Sequence, residues 1–466
     1  MRGKDYMENG ATSAIAEFVA NVSVSEIPDE ALETARRAVL DSIACMIAGS
    51  ASEVAPPIKG FLADNGQGPV PIIGTNIRAT PSLAALANGT FAAALDFDDL
   101  ISPLHPSAVI VAALLSQANS AALSGRQLLE AYVIGIEVGG KIARAIGQGH
   151  AQKGFHSTGT MSGFAAFVAL ARVADLPADK IRTGLGLIAS NSGGLLCNMG
   201  SMAKPWHSGL AAQAAVDTIA MVRHGFTASL SVLEATRGFF ACYGVEESDA
   251  AQIPASLGKS WTLLDPGPTM KKFPSCVAGH RAIAAVQELK LRGLNFENLA
   301  QLTCSVAPGG LAPMMYPRPK TGLESKFSME YAIAAALLDE RLTISTFETP
   351  AVERPEIADL IDRIETREDP VQAQEDPVAA GLSWGFRGYT HISARLVTGE
   401  TLETRVHLPP GHPGNPLGWT ELKSKLQDCG ESAGHAVGKL EKVFETTRIL
   451  ERADSIGPLL QSLASE

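Results

Sequence analysis

The sequence predicts a mainly α fold, a large all-helical domain that is discontinuous along the chain and a smaller α+β domain set between its two parts. Three observations predict it. From about residue 28 to residue 224, apolar residues recur every three or four positions in one segment after another. Near Trp261 the texture changes to mixed strand and helix patterns, and beyond Pro416 it turns helical again. At 466 residues the chain exceeds the roughly 250–300 at which a single core stops growing, so two domains are the expectation.

The first helical segment opens at Pro28-Asp29-Glu30, carries Leu32, Ala35, Val39, Ile43 and Ile47 on one face, and closes at Gly49. Similar segments follow at about 81–96, 106–123, 126–146, 158–175, 178–190 and 205–223. Their Ala, Gly and Ser residues let helices approach closely. Farther on, 301–306 reads as a strand, 326–340 as a helix, and 391–408 as a hairpin turning at Thr398-Gly399-Glu400. The turn-rich stretch from Pro409 to Pro416 then leads to helices at about 419–429, 434–449 and 455–464. These most economically rejoin the first helices, which gives a helical part over 1–266, an α+β domain over 267–405 and a returning helical part over 406–466.

A net charge of -11 with no Lys/Arg block argues against a nucleic-acid partner. The apolar stretch near the N-terminus is broken by Glu17 and Asn21, and the longest apolar run, 108–115, is far short of the ~18 residues of a membrane span. A soluble, cytoplasmic protein without membrane contact is expected. The six cysteines lie far apart with no C-x-x-C pair, against structural zinc, an iron–sulfur cluster or a disulfide scaffold. Gly184-x-Gly186-x-x-Ala189 matches a dinucleotide fingerprint in outline, but it lies inside a helical pattern, with no strand before it and no acidic residue ~20 positions on. No phosphate loop, nucleophile elbow or zinc-protease motif occurs, so no cofactor is expected.

Four segments set a His or Lys near what reads as a helix start: His105-Pro106-Ser107, His156-Ser157-Thr158, Lys204-Pro205-Trp206-His207 and Lys271-Lys272-Phe273-Pro274-Ser275. Helix N-termini hold carboxylates and depress the pKa of nearby bases. Brought together, these groups would bind a small polycarboxylic acid and move its protons. Asp96-Phe97-Asp98-Asp99 ahead of His105 reads equally as a solvated acidic loop or as part of such a cleft; a magnesium or manganese site is a third reading, against which no other segment supplies further ligands. Lys204 and His207 share one side of a helix's first turn, in a stretch with little other charge. Desolvation there would lower the lysine's pKa and make it a base. Lys271 and Lys272 offer cations at the domain boundary, and Tyr316-Pro317-Arg318 adds a phenol and a guanidinium suited to a carboxylate. Paired surface lysines and a core His280 are the plain alternatives.

Together, Asp96-Phe97-Asp98-Asp99…His105-Pro106-Ser107, Gly154-Phe155-His156, Ala203-Lys204-Pro205-x-His207-x-Gly209, Lys271-x-Phe273-Pro274-x-Cys276…His280, Lys326-Phe327-Ser328 and the run from Gly411 to Leu417 resemble the MmgE/PrpD family over nearly the whole chain. The resemblance implies a helical domain interrupted by an α+β lid, a homodimer, and an active site between the domains that uses no metal. It implies active-site roles for Asp96, His105, His156, Lys204, Lys271 and Tyr316. Where dehydratase and decarboxylase members carry a Thr this chain has Leu100, in a loop that looks one residue shorter than the decarboxylase's, and where the decarboxylase has a His it has Cys276. Both changes remove polar groups that would touch a tricarboxylate. The expected activity is therefore proton abstraction α to a carboxylate of a dicarboxylic amino acid derivative, followed by epimerisation, as in the family's iminodisuccinate epimerase. Catalysis is assigned to His156, Lys204, Lys271, Asp96 and His105, with His156 and a lysine as the two bases, and substrate binding to Tyr316, Arg318, His207 and Lys272. A hydro-lyase resembling 2-methylcitrate dehydratase is the alternative, and a non-catalytic carboxylate-binding helical protein is the alternative of another class.

Overall fold

Small residues decide how the helices of the larger unit meet. In the computed structural model, which describes residues 10–117, 123–372 and 388–463, helix Pro81–Ala93 crosses helix Ala203–Arg223 almost backbone to backbone. A Cβ on Gly89 would lie 3.0 Å from the Gly209 Cα, and one on Gly209 would lie 2.3 Å from the Leu86 carbonyl oxygen. This contact brings the first turn of the second helix, with Lys204 and His207, beside the C-terminal end of the first, where Asp96 follows. Helices Pro106–Ser116, Gly125–Ile146 and Ser157–Val173 complete the surround. The first two are rich in buried Ala, Val, Ile and Leu, and the third buries Ala with Met161, Phe164 and Phe167.

The chain leaves this unit through a pinned segment. Buried Glu137 accepts bonds from the Gly258 N–H (3.0 Å), the Thr262 N–H (2.7 Å) and the Thr262 hydroxyl (2.8 Å), while Lys141 donates to the Ser260 carbonyl at 2.5 Å. The chain returns after 406. Helix Trp419–Ser432 packs on helix Asp29–Gly49, and Leu422, Leu426, Cys429, Leu440 and Val443 share one apolar core with Leu32, Val39 and Ile43.

The second unit has its own core under a four-stranded sheet. Strand Leu299–Val306 lies centrally, antiparallel to Thr390–Leu396 on one side and parallel to Ile364–Glu368 on the other; Thr401–Val406 closes the hairpin at the edge. Strand Thr390–Leu396 buries alternate residues (Thr390, Ile392, Ala394, Leu396), as the period of two requires. Helices His280–Leu291 and Met329–Leu338 cover that face.

Several expected elements shift. The helix expected over 326–340 starts at Met329 because the Ser328 hydroxyl caps it, accepting from the Tyr331 N–H at 3.1 Å. The helix expected over 106–123 ends at Ser116, and 118–122 lie outside the described residues. Helix Ala11–Asn21 and strand Ile364–Glu368 have no counterpart in the expectations. The strand is five residues, three of them charged, so it carries no alternation to read. Among the described residues no helix is long and apolar enough to cross a membrane, and all six cysteines are free thiols.

Candidate active site

Three of the four expected helix starts are real. His105 immediately precedes helix Pro106–Ser116, His156 immediately precedes helix Ser157–Val173, and Lys204 is the second residue of helix Ala203–Arg223. Lys271 departs from the pattern. It lies in irregular chain, and the next α-helix begins at His280.

The structure brings these groups together around Asp96. This aspartate takes a left-handed φ of 50° just past helix Pro81–Ala93, a conformation that Asp tolerates better than most residues. Its Oδ1 accepts from the Lys204 Nζ at 2.5 Å and its Oδ2 from the Lys271 Nζ at 2.7 Å; Lys271 also donates to the Asp96 carbonyl at 2.7 Å. All three side chains are buried. Burial opposes the Asp96 charge, but Lys204 and Lys271 outweigh it and hold the carboxyl well below the usual range. Burial likewise works against the Lys204 ammonium, and Asp96 and Asp98 outweigh it, so its pKa is raised. This corrects the expectation of a desolvated lysine base: Lys204 stays a cation, with two N–H donors unfilled among the described residues, and Lys271 keeps one.

The uncharged nitrogen groups beside Asp96 are imidazoles. His105 Nδ1 lies 3.1 Å from Asp98 Oδ2, and its backbone N–H donates to the Thr158 hydroxyl at 3.0 Å. Burial lowers the His105 pKa against the pull of Asp98. With Asp98 ionised, the neutral ring carries its proton on Nδ1 and presents a bare Nε2, the arrangement in which a carboxylate orients a general base. His156 and His207 meet Nδ1 to Nδ1 at 3.0 Å, so one donates and the other accepts. Burial lowers both, His156 most, with Lys204 adding to it, and the buried His156 Nε2 has no partner among the described residues. Gly194 makes room for the pair. Its φ is 135°, its carbonyl accepts from the His156 N–H at 3.0 Å, and a Cβ there would lie 3.2 Å from the His207 Nδ1.

The α+β unit supplies the opposite side. Tyr316 is half-buried, but its hydroxyl donates to the Met199 carbonyl at 2.7 Å, so it ties the two units together. The buried Cys276 thiol is pushed up to about 11, by burial and then by Asp96, and stays protonated. Lys326, of the Lys326-Phe327-Ser328 motif, is buried and has one hydrogen bond among the described residues, to the Phe347 carbonyl at 3.2 Å. Burial brings its ammonium down to about 8 against the attraction of Asp96.

Two expected binding residues lie elsewhere. Arg318 is exposed on the α+β unit and pairs with Asp362, and Lys272 is exposed beside the Phe273 ring. Charged residues flanking a buried motif are simply solvated here. Sequence reasoning also missed what lies behind the site. Asp99 accepts from the Ser107 hydroxyl at 2.7 Å, and that hydroxyl lies 2.6 Å from the Tyr132 hydroxyl. Burial, with Asp41 nearby, pushes Asp99 up to about 8. Farther back, Asp41 pairs with Lys425 at 2.6 Å. Asp96, Asp98 and His105 stand close enough to share a metal ion, but both Asp96 oxygens already hold ammonium groups, which would repel a cation.

Residues 13–251 match the MmgE/PrpD N-terminal domain and residues 273–446 the MmgE/PrpD C-terminal domain. Among curated relatives, cis-aconitate decarboxylase of Homo sapiens is 24% identical, with 98% of this chain and 95% of that one covered. The Mus musculus enzyme of the same name is 25% identical, covering 99% and 96%. That of Aspergillus terreus is 25% identical, covering 98% and 96%.

Proposed function

Because the chain belongs to the MmgE/PrpD family, we propose that it is an enzyme that abstracts a proton from a carbon next to a carboxylate of a small dicarboxylic acid derivative and returns one to the other face, an epimerase that uses no cofactor. The observation that carries this is the Asp96 carboxylate held between two buried ammonium groups, with two neutral imidazoles beside it. His105 Nε2, oriented by Asp98, takes the proton. The unfilled N–H donors of Lys204 and Lys271 hold the substrate carboxylate as it gains enolate character, a charge that fixed donors in a dry site stabilise strongly. His156 delivers a proton from its unpartnered Nε2 side, replenished through His207.

Charge favours two substrate carboxylates over three. Lys204, Lys271 and Lys326 face ionised Asp96 and Asp98, one positive charge in excess, while Asp99 is mostly protonated near neutrality and Lys425 is balanced by Asp41. A dicarboxylate leaves one negative charge in a buried site; a tricarboxylate leaves two, which costs more. Buried Leu100 and Cys276 offer no charged partner for a third group. The relatives named for decarboxylation support a second reading, a lyase that protonates or deprotonates the same carbon while losing carbon dioxide or water.

The test incubates dicarboxylic and tricarboxylic acids, including imino- and amino-dicarboxylates, with the enzyme in D₂O under proton NMR. Deuterium entering at an inverted carbon, with no alkene, is the expected result. An alkene signal or released carbon dioxide selects the lyase, and a spectrum unchanged for every bound acid selects a binding protein.

A further inference from the structure

We propose that Lys425, delivered by the returning C-terminal helix, is a positioning residue that sets the spacing between Asp96 and Lys271; its consequence for turnover rests on the proton-transfer reading of those two groups. An ammonium has three N–H donors. Lys425 spends all three on different segments: Asp41 Oδ1 at 2.6 Å on helix Asp29–Gly49, the Phe97 carbonyl at 2.7 Å and the Lys271 carbonyl at 3.0 Å. Its Nζ also stands 3.9 Å from the centre of the Phe97 ring. Two of the three acceptors are thus backbone atoms of the active-site chain, one adjoining Asp96 and one belonging to Lys271 itself.

The consequence is a double tie. Lys271 reaches across with its side chain to the Asp96 carboxylate and carbonyl, while Lys425 holds the Lys271 and Phe97 backbones from behind. The acidic loop belongs to the helical unit and Lys271 to the chain entering the α+β unit, so their spacing is a spacing between units. Neither segment is regular secondary structure at these points; the nearest backbone tie between them is the antiparallel pair Leu100 and Thr269, whose N–H groups donate to each other's carbonyls at 3.0 and 2.8 Å, three residues past Phe97 and two before Lys271, and Lys425 carries the hold on to both. Asp41 neutralises the charge, which makes a buried ammonium tolerable there.

A purely structural account makes a different prediction. If Lys425 only balances Asp41, then replacing both by uncharged residues of similar shape restores everything, as it often does for buried pairs. If it positions the loop, charge balance returns but the carbonyl ties do not. The experiment compares Lys425→Met, Lys425→Gln and the double variant Asp41→Asn/Lys425→Met. Lys425→Met is expected to lower Tm, since it strands Asp41 in the interior, and the double variant is expected to regain most of that loss. Its kcat should nevertheless stay ~10–100-fold below wild type, the scale of a misplaced reacting group, while KM shifts less than about threefold. Lys425→Gln, with an amide that still donates, should fall between. A double variant whose kcat recovers along with its Tm overturns the proposal. A crystal structure of the double variant gives a readout free of any substrate. Lys271 Nζ moved off Asp96 is expected, and unchanged bonds there would overturn the positioning role even if the wild-type enzyme turned over none of the acids tested. Inertness of the wild type toward every acid would instead refute the proton-transfer reading.

Discussion

The two sides of the cluster around Asp96 are built differently. The helical side presents His105, His156, Lys204 and His207 at the starts of helices that are themselves locked by close backbone contacts such as Gly89 against Gly209. The α+β side presents Lys271, Cys276, Tyr316 and Lys326 from irregular chain, held by individual hydrogen bonds: Cys276 N–H to the Lys326 carbonyl at 2.9 Å, Tyr316 N–H to the Phe327 carbonyl at 3.1 Å, and the Tyr316 hydroxyl to Met199. A rigid side suits proton transfer, which demands fixed distances. A side held by separable bonds suits binding and release.

If that division is right, the largest effects come from the rigid side. His105→Gln and His156→Gln should each lower kcat by ~10²–10⁴-fold in steady-state assays with Tm unchanged, while His435→Gln in the C-terminal segment leaves turnover intact. A small effect at both imidazoles would move the chemistry to the lysines. On the other side, Lys326→Met should raise KM several-fold and also raise Tm, because it removes a buried ammonium that pairs with no carboxylate among the described residues. By linkage the fall to about 8 is worth roughly 3 kcal/mol near neutral pH, an upper bound on the gain. A KM that does not move would place Lys326 outside the substrate's reach.

A third, smaller effect concerns pH. Asp99 binds its proton more tightly when folded, at about 8, than when unfolded, at an ordinary aspartate value. Its contribution is therefore fully present below about pH 4 and fades as the pH rises through about 8. Asp99→Asn should flatten that fall in Tm between pH 6 and 9, and the same slope in variant and wild type would contradict a protonated Asp99. The smallest effect belongs to Arg318→Ala. Its exposed pair with Asp362 should contribute under about 1 kcal/mol and leave KM unchanged; a raised KM would put the arginine back beside the substrate.

The same contrast governs what could be read from the sequence. Pro106, Ser107, Ser157 and Pro205 announce helix starts, so the residues beside them were legible as a cluster before any coordinates. Helical periodicity likewise located most of the larger unit to within a few residues. Lys271 was legible through its motif, but as a helix start it was misread, because Pro274-Ser275 here leads into irregular chain. Lys204 was found and its role inverted, since its pKa depends on Asp96, 108 residues away, whose partnership no local pattern encodes. Lys272 and Arg318 show the converse. A motif says that a segment approaches the site, not which of its side chains faces inward. Lys326 lay in a motif that assigns it no role, and Lys425 lay in none; a lysine in a helical pattern reads the same whether its end meets water or a buried carbonyl.

The return of helix Trp419–Ser432 onto helix Asp29–Gly49 also dictates when the molecule can exist. Asp41 and Lys425 are 384 positions apart, and closing so long a loop draws on chain entropy that local helices do not have to surrender. During synthesis the first helices therefore emerge with one apolar face uncovered, and that face waits while the whole α+β unit is made. The nascent chain passes through a stage in which the residues of the cleft are present and their scaffold is still open. That scaffold closes only once helix Trp419–Ser432 has been made and has packed back on helix Asp29–Gly49.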